Sequence, residues 1–227
     1  AARWRDRWRE SRLLPFRFAS WVGYDMDGRT DIGWATSIHF RLREKALRLG
    51  RYAEAMAAID AGPALAETLR AAHAHALEME AIFAADLADP QALSAAANRL
   101  TRDDPARLLS LAPLVAALEA EAAGAPPERA IALLTLAAAM RADGLGMGGI
   151  HFRVNSSQLH NAIRRRIDPD NRLDLASKVA LARMRALLAE VRPLRANFAA
   201  LAIENTTAIR QFLAMAQILH HVDADAP

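Results

Sequence analysis

Phe16-Arg17-Phe18-Ala19-Ser20-Trp21-Val22-Gly23-Tyr24-Asp25-Met26-Asp27-Gly28 decides how this chain is read: an apolar, β-prone run that ends in an acidic turn containing glycine. A second stretch, Gly148-Gly149-Ile150-His151-Phe152-Arg153-Val154-Asn155-Ser156-Ser157, repeats the pattern of glycines, a short β-prone run and a polar helix start. Between and after them the sequence is rich in alanine and leucine at helical spacing. Strand ends that present charged groups, joined by helical excursions, are how parallel α/β enzymes build their sites. Strands are therefore predicted over 16–22 and 150–154, and the rest is predicted to be mainly α.

Three segments follow from this reading. Residues 1–31 comprise a helix over 3–12, the first strand and its acidic turn. Residues 32–143 form a helical excursion, with a helix over 32–59 that is open to a break or bend near Gly50 and others over 63–85, from Asp89-Pro90, from Asp104-Pro105 to about 123, and over 127–142. Asp followed by Pro suits a helix cap and first turn. Residues 144–227 carry the glycine cluster, the second strand, a helix capped by Ser156 or Ser157, and helices over 173–191 and 194–221.

At 227 residues, 53% hydrophobic and 24% charged, the chain is long and apolar enough to bury a core. It has no cysteine, which excludes disulfides, thiolate metal sites and cysteine nucleophiles and fits a reducing cytoplasm. Uncharged runs such as 130–140 are far short of the roughly 20 residues of a membrane span. A cytoplasmic protein without membrane partners is expected. The net charge of +3 rests on arginines interspersed with 26 acidic residues, a pattern unlike the basic stripe of a nucleic-acid binder. No nucleic-acid partner is expected.

Two local motifs fail on context. Gly144, Gly146 and Gly149 spell G-x-G-x-x-G, but a helix precedes and a strand follows, the reverse of a dinucleotide site. Asp25-Met26-Asp27-Gly28 is not a calcium loop, because Arg29, Thr30 and Thr36 stand where a ligand, a glycine and a glutamate are required. It fits a haloacid-dehalogenase strand end only loosely, since Arg29 intervenes before Thr30. No metal ligands are assigned. His151 shares a face with Arg153, opposite Phe152, in a structural or a catalytic role. An arginine in a short apolar strand needs a partner, so Arg153 is expected to meet Asp25, Asp27 or a bound anion.

Together the two stretches resemble phosphoenolpyruvate carboxylase of the bacterial and plant type. The first matches that family's F-x-S-W-M-G-G-D-R-D-G-N-P at Phe18, Ser20, Trp21, Gly23, Asp25, Asp27 and Gly28. The second keeps the arginine and serine of L-D-I-R-Q-E-S at Arg153 and Ser156. The resemblance implies strands of a helix-decorated (β/α)8 barrel and an enzyme that makes oxaloacetate and phosphate from phosphoenolpyruvate and bicarbonate with Mg²⁺ or Mn²⁺. It implies catalytic roles for Trp21, in an apolar pocket for CO₂, and for Arg153, among groups that hold phosphate. Asp25, Asp27, Arg29 and Asn155 join them as substrate-binding candidates.

The chain departs from the family at Tyr24, Met26, Arg29-Thr30 and Val154-Asn155. The family's catalytic histidine is expected before residue 1 and its metal carboxylates after residue 227. The chain is thus expected to be an interior fragment, inactive alone and binding no metal, of a parent whose homo-oligomerisation stays open. A non-catalytic binding or regulatory relative is the alternative. A helical interaction protein using Trp4 and Trp8 is a third.

Overall fold

The computed structural model describes residues 7, 18–26, 29, 31–190, 192 and 197–226. The predicted helix over 3–12, with Trp4 and Trp8, lies outside them but for Arg7, as do the first two residues of the predicted strand over 16–22. The described residues form nine helices and two short strands. These are β1 (Ala19–Ser20), α1 (Trp34–Ala58), α2 (Pro63–Phe83), α3 (Pro90–Thr101), α4 (Ala112–Gly124), α5 (Pro127–Asp143), β2 (Gly149–Ile150), α6 (Ser156–Ile167), α7 (Lys178–Leu188), α8 (Phe198–Ile203) and α9 (Thr207–His221). The mainly helical reading holds, with two short parallel strands. No helix of the described residues is long and apolar enough to cross a membrane.

α1 is the axis of the molecule. Its inward positions Ile38, Leu42, Leu49 and Met56 recur at helical spacing and bury a continuous stripe. The helix continues unbroken through Gly50, against which the His73 ring of α2 packs. It stops at Asp60, whose positive φ lets Ala61 N–H reach Met56 O and Asp60 N–H reach Ala57 O, a Schellman closure. α1 packs along α2, and the two helices divide the interior. One core joins their distal halves to α4 and α5, through residues such as Leu69, Leu118 and Leu133. The other joins their proximal halves to α3, α9 and the strand region, through Tyr24, Met79, Leu100, Ile150 and Ile218.

Three expected helices start late or break. The helix expected from Asp104-Pro105 begins only at Ala112, because the intervening carbonyls are taken elsewhere: Leu108 O accepts from Lys45 Nζ and Leu109 O from Ala224 N–H. The helix expected over 173–191 begins at Lys178, where Ser177 Oγ caps Ala180 N–H. The helix expected over 194–221 is split at 204–206, where Arg210 turns back onto Glu204 O and the Glu204 side chain accepts from Thr206 N–H. Asn155, not Ser156 or Ser157, caps α6, accepting from Ser157 and Gln158 N–H. Its amide stands one residue ahead of the helix, as a cap must.

β1 and β2 pair in parallel, Ala19 opposite Gly149 and Ser20 opposite Ile150. The second strand is shorter than the predicted 150–154, since the ladder ends after His151 N–H reaches Ser20 O. Alternate backbone groups of a strand point to opposite sides. Gly149 and His151 donate to β1, so Ile150 N–H points the other way, where it meets Ala226 O at 2.7 Å. The carboxy-terminal segment thus flanks β2 on the edge away from β1.

Candidate functional site

Parallel pairing sends both strands out at the same end, so the loops after β1 and β2 emerge side by side. The first turns at once, Tyr24 N–H closing onto Trp21 O at 2.9 Å. Ser37 Oγ, in the first turn of α1, donates to Gly23 O at 2.8 Å and fixes this turn from below. Tyr24 and Met26 point inward, 0% and 3% exposed, while Trp21 and Val22 stay in solvent. Where the family carries an arginine, this chain buries a methionine.

Asp25 and Arg153, 128 positions apart, meet across the two loops, with Arg153 Nη1 3.3 Å from Asp25 Oδ2. The expected carboxylate partner is present, but the expected burial is not. The Arg153 side chain is 56% exposed because it lies beyond the end of the ladder. His151 is exposed beside it, whereas Phe152 turns inward, its ring 6.1 Å from that of Tyr24. Of the other candidates, Arg29 forms an exposed ion pair with Asp31 at 2.5 Å and Asn155 is committed to capping α6. Asp27 lies outside the described residues. Trp21 is 51% exposed at the start of the first turn.

Beneath these loops lies a buried polar junction that the sequence reading did not single out. Arg41, 2% exposed, donates to Asp223 Oδ2 from two nitrogens at 2.5 and 3.0 Å, to Glu44 at 2.9 Å and to Gly148 O at 3.0 Å. Glu44 in turn accepts from the Tyr24 hydroxyl at 2.9 Å. Burial, then the Glu44 carboxylate, pushes that hydroxyl far above the usual phenol range and keeps it a donor. One turn on, Lys45 Nζ donates to Leu108 O and Val222 O, at 2.5 and 2.7 Å. Its burial drives the ammonium down to about 7, with Asp223 opposing and Arg107 and Arg41 reinforcing. The same face of α1 continues with Arg48, bonded to Gly146 O and Asp143, and Tyr52, bonded to Gly144 O.

These contacts explain the glycine cluster. Gly148 has a φ of 100° and lies so close to Phe18 O that a Cβ would overlap it. A Cβ on Gly146 would overlap the Arg41 guanidinium. The crossover from α5 to β2 is clamped by the Arg41, Arg48 and Tyr52 side chains. The sequence signal was available: Arg41, Lys45, Arg48 and Tyr52 occupy one helix face at i, i+4, i+7 and i+11, interleaved with apolar residues.

A cleft of about 870 Å³ opens beside Phe18, Gly148, Leu111, Val115, Met140 and Ala224. It adjoins the start of the strands, and neither Trp21 nor Arg153 lines it. Among the described residues no group of three or more His, Asp or Glu is placed to hold a metal ion. The strand-end carboxylate Asp25 faces Arg153. Compared with protein-family models, with characterised proteins and with solved structures, the chain matches none.

Proposed function

We propose that this chain contributes strand-end loops to an enzyme that resembles phosphoenolpyruvate carboxylase and converts phosphoenolpyruvate and bicarbonate to oxaloacetate and phosphate. One observation carries the reading. The two motif stretches, remote in sequence, pair as parallel strands in a register that brings Arg153 to Asp25. In this reading the half-exposed Arg153 exchanges its carboxylate partner for a phosphate or carboxylate of the substrate, contacts that guanidinium makes with high directionality. Asp25 holds the side chain extended until then. Trp21 supplies an apolar wall that keeps water from CO₂.

The test is bicarbonate-dependent oxaloacetate formation by the intact protein encoded by the full open reading frame. Arg153→Ala is expected to lower turnover by about a hundredfold or more. Absence of oxaloacetate formation by the unsubstituted protein would sink the catalytic reading. A non-catalytic relative is the second reading, favoured by the engagement of Arg29 with Asp31 and of Asn155 in a cap. Calorimetry separates the two: phosphoenolpyruvate binding without turnover belongs to the second. Among the described residues neither strand candidate is helical, which disfavours a purely helical interaction protein.

A further inference from the structure

The cations of this chain divide into two populations. Before residue 154 most described arginines are paired, as Arg41, Arg48, Arg99, Arg129 and Arg141 are with Asp223, Asp143, Glu78, Glu121 and Glu119. After it, Arg165, Lys178, Arg183, Arg185 and Arg192 make no ion pair with any described residue. Residues 151–200 hold ten Arg and Lys against four Asp and Glu, whereas residues 51–130 hold six against twelve.

The unpaired cations centre on α7, which contains no acidic residue and packs chiefly on α6. Ala180 is its one buried residue, while Val179, Leu181 and Leu188 are 67%, 45% and 70% exposed. Leu181, Arg185 and Leu188 stand at i, i+4 and i+7 with Lys178 one turn earlier, so bases and leucines alternate along one outward stripe. Isolated exposed leucines need no explanation, but a stripe of them between uncompensated cations does.

We propose that α7 docks an acidic amphipathic helix of a partner protein, its leucines meeting the partner's apolar stripe and Lys178 and Arg185 its carboxylates. Charge complementarity selects this occupant. Residues 153–197 contain no Phe, Tyr or Trp, so the face lacks the stacking platforms that single-stranded nucleic acid uses and the aromatic anchors of an interfacial membrane helix. The proposal is independent of the carboxylase reading, because α7 includes none of the strand-end residues.

The test uses fluorescence anisotropy with the intact protein. The probe is a synthetic helical peptide of about three turns, with leucines at i, i+3 and i+7 flanked by glutamates. Comparison probes are a scrambled peptide of equal charge, oligothymidine, and phosphatidylcholine vesicles containing phosphatidylserine. The amphipathic peptide is expected to bind about tenfold or more tightly than the scramble, and the contact to weaken with salt. Lys178→Glu with Arg185→Glu, and separately Leu181→Ser with Leu188→Ser, are each expected to weaken binding by about tenfold. All four sites are on the surface, and circular dichroism checks that the fold is kept. If the charge variant unfolds, the leucine variant decides. Equal binding of the scramble, tighter binding to oligothymidine or vesicles, salt-sensitive self-association through this face, or no binding to any probe would overturn the proposal.

Discussion

The two ends of the β1–β2 pair are built on opposite principles. Below the strands, Arg41, Lys45 and Asp223 are out of water, Glu44 is 17% exposed, and each of these charged groups has named partners. Beyond the strands, Trp21, Arg153 and Arg29 stand in solvent with one carboxylate contact at most. A buried ion pair that loses one partner leaves a desolvated charge, while an exposed pair loses little when broken. The lower region therefore sets stability, and the upper one is free to serve binding.

The harshest test of that contrast is Arg41→Ala. It strands Asp223 in the interior and removes the donor to Gly148 O, and denaturant unfolding is expected to show a loss of about 3–5 kcal/mol. Gly148→Ala comes next. Its φ and its approach to Phe18 O leave no room for a methyl group, and a loss of about 2–3 kcal/mol is expected in the same measurement. A comparably large loss from Trp21→Ala would break the division between the two ends.

Lys45 sharpens the comparison through pH. Its folded-state value of about 7 lies below the ordinary lysine value of about 10.4. Between these the unfolded chain binds the extra proton, so stability rises as pH increases from about 7 to about 10 and is insensitive to this group below 7. Lys45→Met is expected to abolish that rise in thermal melts. At neutral pH it is also expected to cost about 2 kcal/mol, for two carbonyls left without their donor.

Smaller effects belong to the upper region. Asn155→Ala removes the α6 cap and is expected to cost about 1 kcal/mol, which Asn155→Asp restores. Arg153→Ala is expected to change unfolding free energy by less than about 1 kcal/mol, because the guanidinium is 56% exposed, although Asp25 is only 15% exposed. A loss as large as that of Arg41→Ala would make Arg153 a structural residue.

Much of this was legible in sequence. The β-prone runs around Ala19 and Ile150 announced the two strands, and the surrounding periodicity announced the helices. The Arg153–Asp25 contact followed from asking what an arginine beside an apolar run would need. The buried fate of Arg41 and Lys45 was harder to see, because a helix face carrying cations reads first as solvated. It becomes interior only when 108–109 and 222–226 close over it. The helix expected from Asp104 was lost for the same reason: its carbonyls found partners outside the local chain.

The sequence by itself determined element type, because period, proline position and β-branched or aromatic runs act over a few residues, whereas the pairing of the two strands is a tertiary contact. Tertiary structure alone decided which charges went inside, where α4 began and why Gly146 and Gly148 must be glycines. Each of those depends on a desolvation cost or a steric contact imposed by segments far away along the chain.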